Sequence, residues 1–243
     1  PMTTLFDVAA GRDLVLHDWQ EEAVQALRDN INARVKNQIL AAPTGSGKTI
    51  CATHLIKRCE ERGQRAIFIC DRRVLVEQTS DTFDMYGVSH AVYMPDHWRD
   101  DPEGGHPILV ATAQTLERRG WPRIRPNLIV VDEAHGQRGF ILERLNQREV
   151  VTVGLTATPF SKGLGLTYDA VVNVRTLNQL TKDGYLAPFD VYAPAEPDMA
   201  EAKAVAGEWT DADAERQALP IIGDAVAEYR SLAIIFLCWW WCL

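Results

Sequence analysis

The stretch "APTGSGKT", residues 42–49, sets Thr44 and Ser46 beside Gly45 and Gly47 and ends on Lys48 and Thr49. Glycines at this spacing let the backbone turn tightly and aim successive N–H groups into one concavity, which suits phosphate oxygens. The lysine that follows can bring an ammonium to the β and γ phosphates of ATP, and the threonine hydroxyl can ligate Mg2+. The run fits G-x-x-x-x-G-K-[ST], with Ala42 at the first glycine position. A glycine-rich turn ahead of a helix with a surface lysine has a similar composition, but the strand-like "NQILAAP" before the loop and the helical stretch after it favour the phosphate cradle. A second stretch, "LIVVDEAH", residues 128–135, runs four apolar residues into Asp132 and Glu133. Acids at the carboxyl end of a parallel strand stand where such sheets bind ligands. Asp132 is thus a candidate Mg2+ ligand, and Glu133 a candidate general base for an attacking water. Taken alone, the same letters also describe a strand end followed by an acidic helix cap.

These two stretches need a scaffold. Residues 18–35 carry apolar side chains at Trp19, Ala23, Ala26, Leu27 and Ile31, the spacing of a helix, with Asp18 as its expected cap and Glu21 three residues later. "NQILAAP" reads as a strand and "ICATHLIKRCEERG" as a helix stopped by Gly63. Strand, helix and strand follow in "RAIFICD", "RRVLVEQTSDTFDMYG" and "SHAVYM", and then a loop, "PDHWRDDPEGGHP". "ILVAT", "NLIVVD" and "VVTVGLT" read as strands separated by the helices "AQTLERRG" and "FILERLNQ". Near-continuous apolar strands alternating with helices predict an α/β fold with a mostly parallel sheet covered on both faces. After Thr158 the pattern loosens to a helix in "TLNQLTKDGYL", a strand in "FDVYAP", and an Ala-, Asp-, Glu- and Pro-rich linker with some helix. A helix over about 216–229 and the apolar "LAIIFLCWWWCL" close the chain.

The pair "APTGSGKT" and "VVDEAH" resembles the first RecA-like lobe of superfamily 2 DEAD/DEAH-box helicases. The likeness is closest to the bacterial and phage branch of RadD-like repair helicases and type III restriction motor subunits. Three further stretches extend the resemblance. "LHDWQEEAV", residues 16–24, is similar to the family's adenine-reading segment, which implies that Gln20 bonds the adenine edge; His17 stands where this branch often has arginine. "GLTATP", residues 154–159, is similar to the motif that couples hydrolysis to strand movement, with Thr156 and Thr158 as its hydroxyls, and His135 takes the family's coupling position. "DRRVLVEQ" and "ATAQTL" resemble two segments that contact the nucleic-acid backbone, which implies roles for Arg72, Arg73, Thr112, Gln114 and Thr115. Asp71 stands where many relatives have proline. Read without the family, the two arginines suit a solvated helix start and the threonines suit ordinary caps. Arg118, Arg119, Arg123 and Arg125 suit either a phosphate track or a solvated face around a Trp-Pro turn.

The resemblance covers about Leu16 to Pro194 and implies an ATP- and Mg2+-dependent helicase or translocase acting on nucleic acid, DNA in preference to RNA, in repair, recombination or phage replication. It also implies a second RecA-like lobe carrying an arginine finger, for which no Q-x-x-G-R-x-x-R-like motif follows Pro194. Residues 1–193 are therefore expected to form the ATP-binding lobe. Residues 194–243 are expected to hold a linker and the truncated start of a second lobe, with an aberrant tail. The alternative is an isolated ATP- and nucleic-acid-binding module with little catalysis. Composition fits either: 243 residues, 47% hydrophobic and 24% charged, suit one large α/β domain and a fragment. The formal net charge of -8 argues against non-specific coating of nucleic acid while leaving room for a local basic groove. Five cysteines without a C-x-x-C pair suggest reduced thiols in a cytoplasmic protein, with no zinc site. His54, His90, His97 and His106 lack metal-ligand spacing. Pro1 ahead of Met2 suggests a fragment boundary, and the N-terminus lacks signal-peptide character. The closing apolar run is shorter than the about 20 residues a membrane helix needs, so no membrane is expected.

Overall fold

Trp19, Ala23, Val24 and Leu27 recur at helical spacing and form the buried face of α1 (Asp18–Asn32). The computed structural model describes residues 12–136, 139–188, 204–205 and 208–209. Sequence places the helix cap at Asp18, but the structure moves it to His17, whose backbone is still extended at φ −73° and ψ 157°. The cause is local. The Gln20 side-chain oxygen accepts the His17 amide at 2.9 Å, and the His17 carbonyl accepts from the amides of Gln20 and Glu21. Asp18 therefore lies inside the first turn, where its charge still suits the helix's positive end.

Contacts divide the chain into two units, Pro1–Ala187 and Pro188–Leu243. In the first, α1 is followed by β1 (Asn37–Ala41), α2 (Lys48–Glu61), β2 (Ala66–Cys70), α3 (Arg73–Met85) and β3 (Ala91–Tyr93). Next come β4 (Ile108–Thr112), α4 (Ala113–Arg119), β5 (Leu128–Val131), a 3-10 turn (Ala134–Gly136) and α5 (Gly139–Asn146). The unit closes with β6 (Val151–Thr156), α6 (Leu164–Thr167), β7 (Ala170–Val172) and α7 (Leu177–Lys182). The strands join in one sheet ordered β3-β4-β2-β5-β6-β1-β7. Every pairing in it is parallel.

Strand periodicity sorts the core into two layers. Leu40, Phe68, Val110, Val130 and Leu155 point to one face and pack with Leu27, Ile56 and Phe83 of α1, α2 and α3. Ile39, Ile67, Leu109, Ile129 and Val131 point to the other and pack with Leu116, Ile141, Leu145 and Leu164 of α4, α5 and α6. Each of these fully buried aliphatic or aromatic side chains contributes about 1.5–3 kcal/mol. At the amino end of β1, the Asn37 amide donates to the carbonyls of Leu145 and Thr167 at 2.9 and 2.8 Å, which ties α5 and α6 to the sheet.

Two elements depart from the sequence-based expectation. β7 extends the sheet beside β1, yet it has three residues and Val171 is exposed, so it leaves no periodic signature. The stretch read as a linker with some helix contains, in the second unit, an antiparallel pair of β8 (Ala204–Val205) and β9 (Glu208–Trp209). Two-residue strands lie below the reach of any periodicity window. The expected strand "FDVYAP", the helix near 216–229 and the apolar "LAIIFLCWWWCL" lie outside the described residues. Among the described residues no helix is long and apolar enough to cross a membrane.

Candidate functional site

The order of the sheet assembles the site. β5, β6 and β1 are neighbours, so the segments leaving their carboxyl ends lie side by side: 132–136, 156–158 and 42–49. Register is direct, with Ala41 opposite Thr156 and Val131 opposite Gly154. The Ala42 amide donates to the Thr156 carbonyl at 3.1 Å, which anchors the first residue of the phosphate loop to β6.

Within the loop, Gly45 and Gly47 take φ of 77° and 94°, a region that side-chain-bearing residues seldom adopt. A Cβ on Gly47 would stand 2.6 Å from the Gln20 side-chain nitrogen, so only glycine fits between α1 and the loop. Gln20 is buried, at 2% exposure, and its Nε2 lies 3.4 Å from the Gly47 carbonyl. The expected adenine reader is thereby attached to the phosphate loop itself. The Ser46 hydroxyl donates to the Pro43 carbonyl at 2.7 Å and braces the turn. Lys48 Nζ donates to the carbonyls of Ala42 and Pro43 at 2.9 and 3.1 Å, which holds the ammonium over the loop's mouth. Burial draws the Lys48 pKa below the ordinary lysine value, while the charges of Glu133 and Asp132 oppose that fall. Thr49 follows in the first turn of α2, and Thr44 stands at the start of the turn.

Asp132 hangs from the end of β5, its amide donating to the Ile69 carbonyl at 2.8 Å. Burial raises its carboxyl pKa, and the neighbouring Glu133 charge adds to the rise; the Glu133 amide, which donates to Asp132 at 3.1 Å, and the Lys48 charge oppose it. Glu133 has φ of 46°. A non-glycine residue held there costs roughly 1–3 kcal/mol, and such strain gathers at working sites. Its carboxylate lies 3.3 Å from His135 Nδ1, and the same nitrogen lies 3.0 Å from the Thr156 hydroxyl. Thr156 Oγ1 also accepts the Thr158 amide at 3.0 Å. Glu133, His135, Thr156 and Thr158 thus form one polar chain joining the end of β5 to the segment after β6.

The remaining expected residues cluster on the other half of the same edge, where β2 and β4 are neighbours. Arg73, Thr112, Gln114 and Thr115 line a groove of about 210 Å³ together with Arg118, Arg119, Met94, Pro95 and Asp96. Arg73 donates to the Asp96 carbonyl at 3.1 Å. Arg72 is not among the lining residues; its side chain is 81% exposed and lies 3.8 Å from the Asp71 carboxylate. The Thr112 and Thr115 hydroxyls bond each other at 2.8 Å, and the Thr115 amide donates to the Thr112 hydroxyl at 3.0 Å, which caps α4. The arginine cluster divides. Arg118 and Arg119 face the groove, Arg119 also pairs with Asp100 at 2.9 Å, and the exposed Arg123 pairs with Glu103 at 2.8 Å.

Sequence alone did not single out the carbonyls that seat Lys48, the loop at Met94–Asp96 that walls the groove, or Gly154. A Cβ on Gly154 would stand 2.8 Å from Ala134 Cβ and 2.9 Å from the Tyr168 ring, so its bareness lets the acidic segment lie against β6. A glycine inside an apolar strand was the available signal. Among the described residues no group of three or more His, Cys, Asp or Glu forms a metal cluster.

A parallel sheet with a phosphate loop after one strand, an acid pair two strands away and a hydroxyl pair at the carboxyl end of the strand between defines a RecA-like P-loop NTPase lobe. Residues 13–161 match the family described as "Type III restriction enzyme, res subunit", and the chain belongs to that family. A "51.5 kDa protein" of Lactococcus phage (isolate 7-9) is 25% identical over 198 residues, 79% of this chain and 40% of the relative. The "Type I restriction enzyme EcoKI endonuclease subunit" of Escherichia coli (strain K12) is 31% identical over 182 residues, 60% of this chain and 15% of the relative. A solved nuclease-deletion mutant of the Type ISP restriction-modification enzyme LlaGI, in complex with a DNA substrate mimic, shares the fold. Its TM-score is 0.55 at 16% identity, covering 70% of this chain and 21% of that one. The chain therefore spans well under half the length of these proteins.

Proposed function

We propose that this chain is the ATP-binding lobe of a motor that uses ATP hydrolysis to move along or unwind nucleic acid. The observation that carries the proposal is the split edge of the sheet. A phosphate loop anchored to Thr156 of β6, which Glu133 and His135 link to the end of β5, occupies one half, and a groove lined by Arg73, Gln114 and Arg118 occupies the other. Force on a strand in the groove and chemistry at the loop would then act through one rigid sheet. Membership in a family of restriction motor subunits supports this and does not favour an isolated binding module.

In this reading the loop amides and Lys48 hold the β and γ phosphates, and Gln20 contacts the adenine. Thr49 and Asp132 would hold Mg2+, a fit supported by the half-buried, partly cation-compensated carboxyl of Asp132. Bound there, the ion would neutralise phosphate charge. Glu133 takes a proton from the attacking water, and His135 passes the state of that carboxylate to Thr156 and Thr158. DNA is the preferred strand, by analogy with the LlaGI enzyme solved on a DNA substrate mimic. A second RecA-like lobe belongs to the intact protein, supported by the short share of each relative that this chain spans. Free Cys51, Cys59 and Cys70 suit the cytoplasm.

The test separates binding from chemistry. Lys48→Ala should lose affinity for a fluorescent ATP analogue, since its ammonium sits at the loop's mouth. Glu133→Gln should keep that affinity and lose hydrolysis in the intact protein. Unchanged turnover in Glu133→Gln, or unchanged affinity in Lys48→Ala, contradicts the assignment.

A further inference from the structure

Trp98 is a large apolar side chain that is 79% exposed, yet the loop that carries it is fixed on several sides. The Val92 amide donates to the Arg99 carbonyl at 3.0 Å and the Asp101 amide to the Val92 carbonyl at 2.8 Å, so this loop pairs with the outer edge of β3. The Asp100 carboxylate accepts two hydrogen bonds from Arg119, at 2.9 and 3.0 Å, and one from the Met94 amide at 3.1 Å. The Asp101 carboxylate accepts the amides of Gly104, Gly105 and His106 at 2.7–3.1 Å. The indole itself is braced. The Arg99 guanidinium carbon lies 4.2 Å from its ring centre, and the buried His97 ring lies 6.0 Å away at an interplanar angle of 23°. A rigid support that holds an aromatic surface in water is preorganised for a planar partner.

The surroundings say which partner. Met94, Pro95 and Asp96, just ahead of Trp98 in the chain, line the groove with Arg73 and Arg118. Two residues of chain span at most ~7 Å, so the Trp98 backbone stands close to that groove. Trp98 also borders an open hollow of about 630 Å³ lined by Asp84, Arg99, Asp100 and Asp101. Its charges are already paired within the fold, Asp84 with Arg99 at 2.7 Å and Asp100 with Arg119 at 2.9 Å, so an aromatic wall there suits a neutral ring better than a further phosphate. Cations in the groove and an aromatic wall beside this charge-paired hollow together match the two ends of a nucleotide, phosphate and base.

We propose that Trp98 is a stacking platform for one unpaired base of a single strand whose phosphates lie in the Arg73–Arg118 groove; this rests on the nucleic-acid function proposed for that groove. Stacking needs an exposed base face, and every base has one only when it is not already stacked in a duplex. The platform therefore selects a single-stranded segment without selecting its sequence.

Fluorescence anisotropy with a labelled oligo(dT) and with a blunt duplex of equal length tests this on the full chain. Trp98→Ala should weaken oligo(dT) binding about five-fold or more, while Trp98→Phe keeps most of it. The salt dependence should stay as in the wild type, because the phosphate contacts remain. Duplex affinity and binding of a fluorescent ATP analogue should not change in Trp98→Ala, and the latter also reports an intact fold. If the wild type binds oligo(dT) and Trp98→Ala binds it equally, this inference fails and the groove assignment stands. An equal loss for duplex and single strand also overturns the platform. A wild type that binds no strand at all overturns both the platform and the function on which it rests.

Discussion

Asp132, the proposed Mg2+ ligand, would serve that role at the expense of the fold. Its carboxyl is half-buried at the end of β5, and that desolvation raises its pKa above the ordinary 3.8. The unfolded chain ionises the group near that ordinary value, so the folded state holds the proton to higher pH. The cost of burying the charge is then fully present above the folded pKa and disappears below 3.8. Asp132→Asn removes this charge and keeps an oxygen for the Glu133 amide. The variant should therefore melt higher than the wild type at pH 7, by a margin that shrinks as pH falls toward 4, while hydrolysis by the intact protein is lost. Thermal melts across that pH range check the sign; a lower melting temperature at pH 7 contradicts it. Cysteine behaves differently at the same scale. Burial pushes the Cys51 and Cys70 thiols up to about 12, which makes them inert packing groups.

Between residue and sheet, the working elements are short connections seated on strand ends. Gly154 of β6 is the clearest case. Alanine there meets Ala134 and Tyr168 at less than van der Waals contact, and neither a backbone-borne methyl nor a buried ring can move far. Gly154→Ala should destabilise the lobe by about 1–3 kcal/mol, the usual cost of overpacking. Because the displaced segment carries Glu133 and His135, hydrolysis should fall further than ATP affinity does. Denaturant melts together with nucleotide titration and turnover would check both halves. A variant with full turnover and normal stability would mean that the acidic segment does not need its seat on β6. Thr156→Val offers a companion test. It should leave ATP affinity near that of the wild type, yet leave His135 Nδ1 and the Thr158 amide without their shared hydroxyl. A lost buried partner costs about 1–3 kcal/mol, and strand-stimulated hydrolysis should drop more than basal hydrolysis.

For the whole lobe, the decisive feature is that two chemistries share one edge of one sheet. The chain carries a formal charge of -8, so the proposed affinity for a polyanion would have to come from a local groove. Arg73→Ala removes one cation from that groove and should weaken single-strand binding at low salt while lowering the salt slope by about 1. Affinity for an ATP analogue should be unaffected, since Arg73 follows β2 and the phosphate loop follows β1, with β5 and β6 lying between them. Titrations at three salt concentrations give the slope; a slope equal to that of the wild type would remove Arg73 from the contact set.

The phosphate loop, the acid pair and the strand–helix alternation were legible in the sequence because each depends on neighbours within a few residues: glycines at a turn, a lysine after them, apolar runs of strand length. Their grouping was not. His135 touches Thr156 because β5 and β6 are neighbours, Arg73 shares a groove with Gln114 because β2 and β4 are, and Gln20 touches Gly47 because α1 packs against the loop after β1. Local composition also misplaced the cap of α1, since the Gln20 side chain outcompeted Asp18 by reaching the His17 amide. It missed β7 and the β8–β9 pair, whose two or three residues cannot express a period. The residue types and the order of the chemistry came from the chain itself. Which of those residues meet, and that Trp98 is left facing water, were decided by tertiary packing, because those arrangements join residues far apart in sequence and exist only once the sheet has formed.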